Sequence, residues 1–344
     1  MANLTDTQKL AAIVTASRSL KDNTEFRDYE HSTIKVLLDG EQDLFRDLNR
    51  MKTSDIQPTK VALNKKVYTA SGTAKSASHA ATAFADSFMK TITYTRLTQK
   101  FKISYKQADM NILSYQEILN YELKNKLQSL YADLSTAQIA WLNTNRSQVG
   151  ADSLMTFDET TNDRYDNLLA DRDVLFDYVK AAQKKNKYNA NSTVGVVDQR
   201  MAALYRKLAS NGRTNADNTA FQLPGIEVVE EPQMATGTDS TGFFWQKGLV
   251  GMTTWNEPLN MRGSGSFDSN AGLFTTMQDP TFGFLFDLHA KNGVVDTSAA
   301  GGNVQDKVDE YEIALTFATE GSWESTANAS HIFKVVQANS VPTP

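Results

Sequence analysis

Histidine side chains are the groups best suited to acid–base chemistry near neutral pH, and this chain has four of them. A catalytic site needs a nucleophile, a base and an orienting group that converge, yet these histidines lie in unrelated contexts: His31, His79, His289 and His331. The sequence has no HExxH, GxxxxGK(S/T), GxSxG or GxGxxG motif, which mark zinc proteases, P-loop enzymes, serine hydrolases and dinucleotide-binding proteins. We therefore expect no catalytic residue, no cofactor-binding residue, no metal ligand and no cofactor.

Neighbouring carboxylates are the other residues whose spacing permits chemistry. Such pairs include Asp158 with Glu159, Asp171 with Asp173, and Glu230 with Glu231. A carboxylate pair can hydrolyse a glycosidic bond or hold Mg²⁺, but adjacent charges on turns and helices are usually solvated surface. A carbohydrate-active enzyme stays a remote alternative, and loss of turnover on mutating Asp171 or Glu230 would favour it.

Four aromatic residues in the second half of the chain could stack on a sugar or a base: Phe243, Phe244, Trp245 and Trp255. In a β-rich region such residues are more often part of the core or anchors of a subunit interface. We expect the core or interface role here.

The composition excludes several classes of protein. The chain has 344 residues, enough for one large domain or two ordinary ones, and it has no cysteine, which excludes disulfides and thiolate chemistry and fits a reducing cytoplasm. With 35 Lys and Arg against 40 Asp and Glu, the net charge is −5, so dedicated nucleic-acid binding is disfavoured. Polar residues interrupt every apolar run, and we expect neither a signal peptide nor a transmembrane helix.

The N-terminal region reads as two helical stretches. Residues 5–20 carry an apolar stripe of Leu10, Ile13 and Val14 that we judge too narrow to anchor a core, and residues 25–51 form a second helical stretch broken at Gly40. Together they predict an amphipathic N-terminal arm.

A long polar segment lies between two predicted strands at residues 60–69 and 90–105. Residues 69–88 are rich in Ala, Ser and Thr and lack a periodic apolar face. Connections longer than about a dozen residues are usually functional or disordered, so docking on another subunit is one reason for its length. Phe84 and Phe88 are its large apolar groups and the best candidates for contact anchors.

The strongest pattern in the sequence predicts a long amphipathic helix over residues 115–143. Ser114 and Glu117 form a capping-box signal. Apolar residues then recur at spacings of four and three: Leu119, Leu123, Leu127, Leu130, Leu134, Ala137 and Trp141. Such a helix would be about 40 Å long. The stripe indicates core packing, with a free coiled coil as the minor alternative.

The rest of the chain mixes helices and strands and predicts an α+β domain. Helices are predicted at residues 163–185 and 198–210, the second ended by Asn211 and Gly212. Strands are predicted at residues 194–197, 226–229, 243–246, 249–255, 311–317 and 331–336. The Gly-rich stretches 262–272 and 297–303 are predicted to be loops.

The order of these elements resembles the major capsid proteins of tailed bacteriophages, of the Hong Kong 97 type. The matching stretch is residues 90–150, KTITYTRLTQKFKISYKQADMNILSYQEILNYELKNKLQSLYADLSTAQIAWLNTNRSQVG, where a strand precedes a long helix. The resemblance implies an N-terminal arm at 1–57, an extended loop at 58–89, a peripheral domain at 90–190 and 305–344 with a spine helix, and an axial domain at 191–304.

The resemblance also implies a function: a structural subunit, not an enzyme, that self-assembles into hexamers and pentamers of an icosahedral shell. Implied partners are other copies of the chain and scaffolding and portal proteins. The shell would enclose phage DNA without sequence-specific binding and without a membrane, in a virion assembled in the bacterial host cytoplasm. An acidic inner wall would then confine DNA without gripping it. Encapsulin-type compartments share this fold and are the alternative.

Within the family, the extended loop lies over an adjacent subunit. Here the residues it would bring to that interface are Lys75, His79, Phe84 and Phe88. Some members crosslink a loop lysine to an asparagine of a neighbour, and Lys75 lies in the corresponding loop, although most members do not crosslink. We interpret Lys75 as a solvated or salt-bridging residue.

Overall fold

The computed structural model describes most of the chain, and the statements below concern these parts. They are residues 6–21, 31–45, 48–54, 56–62, 65–66, 89–105, 114–150, 154–167, 174–186, 188–213, 225–234, 239–257, 273–296, 305–324 and 330–338.

Helices and strands alternate along the described chain. The helices are α1 (Asp6–Lys21), α2 (Ser32–Asp39), α3 (Glu41–Leu44), α4 (Leu48–Thr53), α5 (Tyr115–Thr144), α6 (Leu175–Lys185) and α7 (Gln199–Arg213). The strands are β1 (Lys60–Ala62), β2 (Lys65–Lys66), β3 (Met89–Thr91), β4 (Thr95–Ser104), β5 (Thr156–Asp158), β6 (Asp163–Asn167), β7 (Thr193–Val197), β8 (Ile226–Glu230), β9 (Ser240–Gln246), β10 (Val250–Trp255), β11 (Leu273–Gln278), β12 (Leu285–Asp296), β13 (Gln305–Gly321), β14 (Trp323–Glu324) and β15 (Phe333–Ala338). The predicted α+β class is confirmed.

A five-stranded antiparallel sheet is built around β13, which has 17 residues. Residues 308–314 of β13 pair with both β4 and β12, so these two strands lie on opposite edges of β13. Thr316 and Phe317 pair with both β4 and β10, so β10 follows β12 along the same edge. β11 pairs with the outer edge of β12. The long strand thus joins segments from both halves of the chain.

The second sheet has six strands in the order β5-β6-β15-β9-β7-β8 and is mixed. Its central strand β15 pairs in parallel with β6 and antiparallel with β9, while β7 pairs in parallel with β8. Alternate residues of β9 face opposite sides, as a strand requires. Phe243 and Trp245 join the main core with α5, whereas Phe244 packs with α6 and α7. The sheet is therefore covered on both faces.

Helix α5 confirms the strongest sequence prediction. The Ser114 hydroxyl accepts a hydrogen bond from the backbone N–H of Glu117, and the Glu117 carboxylate accepts from the backbone N–H of Ser114 at 2.7 Å, which completes the capping box. That second hydrogen bond lowers the pKa of Glu117. Five predicted core residues are fully buried: Leu119, Leu123, Leu127, Leu130 and Leu134. Trp141 is half-buried and packs against the same core.

Replacing Leu127 with alanine is expected to lower the free energy of unfolding by about 2 to 5 kcal/mol, because the side chain is 0% exposed and its loss leaves a cavity. Urea denaturation of the unassembled subunit measures this change. Tyr121 on the same helix is 64% exposed, and Tyr121→Ala should change stability by no more than about 0.5 kcal/mol. Equal effects of the two substitutions would show that the stripe is not core.

The N-terminal helices pack on the body of the subunit. Ile13, Ala16 and Leu20 of α1 are buried in the main core, and the Ser17 hydroxyl donates to the carbonyl of Gln278 at 3.0 Å. The prediction that the α1 stripe is too narrow to anchor a core is therefore wrong, because the buried face of the helix continues past Ile13 to Ala16 and Leu20.

Gly40 marks the break that the sequence predicts between α2 and α3. A Cβ at this position would lie 2.0 Å from the carbonyl oxygen of Val250 on β10, so only glycine permits this close approach of the two backbones. The break therefore sets how the N-terminal helices meet the five-stranded sheet.

Two predicted helices differ from the structure. Residues 163–167 form strand β6, and only residues 175–185 of the predicted 163–185 helix are helical in the described chain. Helix α7 continues through Asn211 and Gly212 to Arg213, so these two residues are not its C-cap. A glycine inside a helix costs only about 1 kcal/mol, which packing of α7 can offset.

The sheets also group the chain differently from the predicted domain boundaries. Strands β5, β6 and β15 lie within the predicted peripheral domain but pair in one sheet with β7, β8 and β9 of the predicted axial domain. Strands β10, β11 and β12 lie within the predicted axial domain but share one sheet with β4 and β13. These pairings join strands far apart in sequence, which local patterns cannot reveal.

Within the described residues, no helix has both the length and the hydropathy needed to cross a membrane.

Candidate assembly site

The long polar segment of the sequence begins and ends at a two-stranded stem. Strands β1 and β3 pair antiparallel, with Val61 opposite Lys90 and Ala62 opposite Met89. Beyond the stem, the backbone N–H of Ile92 donates to the carbonyl of Thr59 at 2.9 Å. The chain therefore departs after residue 62 and returns at residue 89 to the same place.

A small apolar cluster holds the stem to the five-stranded sheet. Ile92 is 3% exposed and packs with Leu44, Phe45 and Met51 from the N-terminal helices and with Ala318 of β13. Burying a side chain of this size contributes about 1.5 to 3 kcal/mol. The stem is thus fixed relative to the core and not tethered by a free linker.

An ion pair adds a smaller contribution at the same place. The Lys90 ammonium lies 2.7 Å from the Glu320 carboxylate, and the lysine side chain is 37% exposed. Burial raises the pKa of Glu320, and Lys90 opposes that shift. Pairs of this exposure contribute only about 0 to 1 kcal/mol, so the apolar cluster is the main anchor.

A second short pairing lies just past the stem. Lys65 and Lys66 of β2 pair in parallel with Trp323 and Glu324 of β14, directly after β13. The segment between β1 and β3, residues 63–88, is called here the excursion. Its start therefore runs beside the end of the long strand β13. The predicted interface residues of the excursion lie outside the described residues: Lys75, His79, Phe84 and Phe88.

A buried polar cluster that the sequence patterns do not predict attaches α1 to the long strand. Lys9 and Asp309 form an ion pair in which both side chains are 0% exposed. The hydroxyls of Tyr105 and Tyr115 each donate to the other Asp309 oxygen at 2.7 Å, and the Tyr311 hydroxyl lies 2.9 Å from that of Tyr115. Burial raises the pKa of Tyr115 far above its ordinary value. The one signal in the sequence is Lys9 at helical spacing from Ile13.

His31 lies at the start of α2, between that helix and α5. It is 2% exposed, its Nδ1 lies 3.2 Å from the Ser135 hydroxyl, and its ring centre lies 5.5 Å from that of Tyr131. The Tyr131 hydroxyl donates to Asp279, a buried carboxylate whose pKa is raised by burial. Burial lowers the pKa of His31 to about 4.

Acidification is expected to destabilise the fold through His31. The unfolded chain binds a proton there with a pKa of 6.5, whereas the folded pKa is about 4. Unfolding therefore takes up a proton between these values, so stability is fully present above pH 6.5 and falls as the pH drops towards 4. A shift of this size corresponds to about 2 to 4 kcal/mol. Urea unfolding of the wild type and His31→Gln across this range measures it.

The comparison of these two proteins isolates the histidine, because every carboxylate is present in both. The wild type should lose stability relative to His31→Gln as the pH falls from 7 to 4. A difference in unfolding free energy that stays constant with pH would contradict the assignment.

The face of β4, β13 and β12 turned away from α5 carries a row of cross-strand ion pairs. Lys100 lies 3.1 Å from Glu312, and Glu310 accepts from Lys102 at 2.5 Å and lies 3.1 Å from Lys291. The hydrogen bond from Lys102 lowers the pKa of Glu310. Phe101 and Ile103 alternate with these lysines and point into the core. The row is a solvated surface on which three lysines pair with two glutamates.

Three of the described carboxylates of the enzymatic alternative have structural partners. Asp158 accepts from the backbone N–H of Thr160 at 2.8 Å within its own turn. Glu230 forms an ion pair with Arg206, and the buried Glu231 accepts from the backbone N–H of Thr33 at 3.0 Å. Asp171 and Asp173 lie outside the described residues. The described members thus act in turns and in packing.

The remaining candidates for chemistry are also dispersed. Phe243, Phe244 and Trp245 are buried in the core, as expected, and Trp255 is half-buried and donates to the carbonyl of Ser54 at 3.2 Å. His289 stacks on Phe274, while His331 is buried beside the Ser322 hydroxyl. His79 lies outside the described residues. No group of three or more His, Asp or Glu residues suited to a metal ion occurs in the part of the chain that the structure describes.

Comparison with known proteins finds similarity only among solved structures. No protein-family model matches the chain, and no curated protein matches it. A cyanophage A-1(L) capsid structure is 9% identical, covers 90% of this chain and 93% of its own, and has a TM-score of 0.48. A Mycobacterium phage Che8 structure is 13% identical, with coverages of 82% and 85% and a TM-score of 0.45.

A native GTA particle capsid is 14% identical, with coverages of 82% and 86% and a TM-score of 0.45. All three TM-scores are below 0.5. We therefore base the proposal that follows on the geometry of this chain.

Proposed function

We propose that this chain is the major capsid protein of a tailed bacteriophage, a structural subunit that self-assembles into a closed icosahedral shell around DNA. The observation that carries the proposal is the stem of β1 and β3. It is fixed to the sheet by Ile92, and it holds residues 62 and 89, the two ends of the long polar segment, next to each other. The fold is thus built to present a long segment at a defined place.

We propose that this segment is stabilised by contacts with another molecule. Its side chains are mostly small and polar, so they cannot contribute much to the core of their own subunit. A copy of the same chain, repeated by the symmetry of a shell, is a partner that is always present at the right distance. The proposed interface residues remain Lys75, His79, Phe84 and Phe88.

The distribution of polar groups supports a mechanical role over a catalytic one. The buried charges of Lys9, Asp309, Asp279 and Glu231 are all engaged in fastening one element to another. Such bonds resist displacement of the elements, as a shell wall under load requires. We propose that the chain is not an enzyme and that it acts in the virion, with scaffolding and portal proteins as further partners.

The test is to express the chain, alone or together with its scaffolding protein, and to examine the particles that form. We expect sedimentation and negative-stain electron microscopy to find closed particles of uniform diameter. Particles that enclose a folded enzyme instead of DNA during infection would identify an encapsulin-type compartment. A monomer at all concentrations, with turnover of a carbohydrate that is lost in Glu230→Gln, would contradict the proposal.

A further inference from the structure

The charge of the chain is divided unevenly between two helices and the rest. Helices α6 and α7 contain seven of the 35 Lys and Arg residues but only one of the 40 Asp and Glu residues, which is Asp177. The two helices therefore carry a net charge of +6 in a chain whose total is −5, which leaves −11 for all other residues. The protein is acidic overall, but α6 and α7 together form a strongly basic layer.

The two helices pack on the same face of the six-stranded sheet, so their charges lie on the same side of that sheet. The rings of Phe176 on α6 and Tyr205 on α7 meet at 5.2 Å, and both helices pack on the face of the six-stranded sheet that carries Phe244 and Val335. This face is the one opposite to α5. The basic residues are on the outer side, away from the sheet.

Exposure of the basic residues follows from the amphipathic pattern of both helices. Lys184 and Lys185 in the last turn of α6 are exposed, as are Arg200 and Lys207 of α7, while Lys180 is half-buried. The positions between them, such as Val179 and Ala182, are buried against the sheet. The outer surface of α6 and α7, called here the basic face, is therefore open in the subunit.

Among the described residues, acidic side chains of strand β8 lie near the basic face. Arg206 pairs with Glu230 at the neighbouring edge strand β8, and Glu227 of the same strand is occupied by Lys247 at 3.4 Å. Burial and the neighbouring Lys184 lower the pKa of Lys180, and Asp177 opposes that shift. The three lysines of α6 outnumber its single acidic residue, so this helix is net positive even when every basic residue of α7 is counted as partnered.

We propose that the basic face binds the phosphate backbone of double-stranded DNA and is the side of the subunit turned towards the enclosed genome. This inference rests on the proposed function, because it takes the packaged DNA as the ligand. The sequence alone led us to expect an acidic inner wall. With this inference, the inner wall instead contacts DNA through the basic face of each subunit.

Double-stranded DNA fits the basic face better than an acidic protein does. Peptides bind mainly through large apolar anchors, and among the described residues of α6 and α7 no large apolar side chain is exposed; the nearest, Val174, precedes α6 and is 37% exposed. Phosphate backbones need only positive charge, and binding then releases counterions. The predicted interaction is independent of base sequence and weakens steeply with salt.

The experiment measures binding of a fluorescent random-sequence DNA duplex to the unassembled full-length subunit by anisotropy, over a range of salt concentrations. In one variant Lys180, Lys184 and Lys185 are replaced by Gln. We expect about ten-fold weaker binding or more at 0.1 M salt, and a salt slope that is smaller by about 0.9 for each phosphate that is no longer neutralised.

A charge-matched control separates the basic face from net charge alone. Replacing Lys100, Lys102 and Lys291 by Gln removes the same charge from the five-stranded sheet, where these lysines already pair with glutamates. This control should bind DNA within about two-fold of the wild type. A second control, Lys180→Arg with Lys184→Arg and Lys185→Arg, keeps the charge and should keep full affinity for DNA.

Three results would overturn the inference: no DNA binding by the wild type, equal weakening in the two Gln variants, or binding of polyglutamate in place of DNA. Light scattering on the same proteins records shell formation separately. Shells together with unchanged DNA affinity in the α6 variant would overturn the inference and leave the proposed function intact. DNA binding as expected without any shell formation would contradict the proposed function instead.

Discussion

Replacing Asp309 with alanine is expected to lower the free energy of unfolding of the subunit by about 3 to 5 kcal/mol. The substitution leaves the Lys9 ammonium buried without its counter-charge, and both side chains are 0% exposed in the native pair. It also removes the acceptor of the Tyr105 and Tyr115 hydroxyls. Buried polar groups that lose their partner cost far more than exposed ones. Urea denaturation, followed by circular dichroism, measures the change.

The matched control is an ion pair on the exposed face of the same strand. Glu312→Ala removes the partner of Lys100, whose side chain is 71% exposed, and should cost less than about 1 kcal/mol. In the double variant Lys9→Met with Asp309→Leu, much of the stability should return, because no unpaired charge is left in the core. A cost for Asp309→Ala no larger than that of Glu312→Ala would show that α1 is not fastened by this pair.

Removing residues 70–87 and closing the gap with a short turn is expected to abolish closed shells while sparing the fold. The stem of β1 and β3 and its anchor Ile92 are kept, and shortening a surface connection changes closure entropy by only about 1 to 2 kcal/mol. Assembly, in contrast, loses the segment that we propose reaches the next subunit. Thermal melts and light scattering measure the two effects separately.

Three further variants locate the contribution to assembly within the excursion. A Gly-Ser segment of the same length in place of residues 70–87 keeps the reach of the chain but removes its side chains, so it should also fail to form shells. Phe84→Ala and Phe88→Ala test the proposed anchors one at a time. Normal assembly by the Gly-Ser variant would assign the excursion a spacer role and remove these side chains from the interface.

Local periodicity predicts the parts of the fold that depend on local signals. Helix α5 follows from the capping box at Ser114 and from leucines at helical spacing, and its start and end agree with the structure within one residue. The break at Gly40 and the strands flanking the excursion are predictable for the same reason. In α5 the leucines of the stripe are buried and none of the charged residues is, so the pattern is visible in the sequence.

One wrong prediction falls where charged residues are buried. Residues 163–167 read as the start of a helix, yet Asp163 and Arg164 are buried in strand β6. Asp163 is paired with Arg146 at 3.0 Å and Lys334 at 2.7 Å, and Arg164 lies over the ring of Phe333. These partners come from distant parts of the chain, so no local pattern reports them. The pair of Lys9 and Asp309 is invisible in the sequence for the same reason.

Electron microscopy of the wild type beside the variant lacking residues 70–87 tests the central claim most directly. We expect closed particles of uniform diameter from the wild type. From the variant we expect folded subunits with a native circular dichroism spectrum and no closed particles at any concentration. Closed particles of normal size from the folded variant would show that the excursion is not an assembly element, and would contradict the role of the stem on which the proposed function rests.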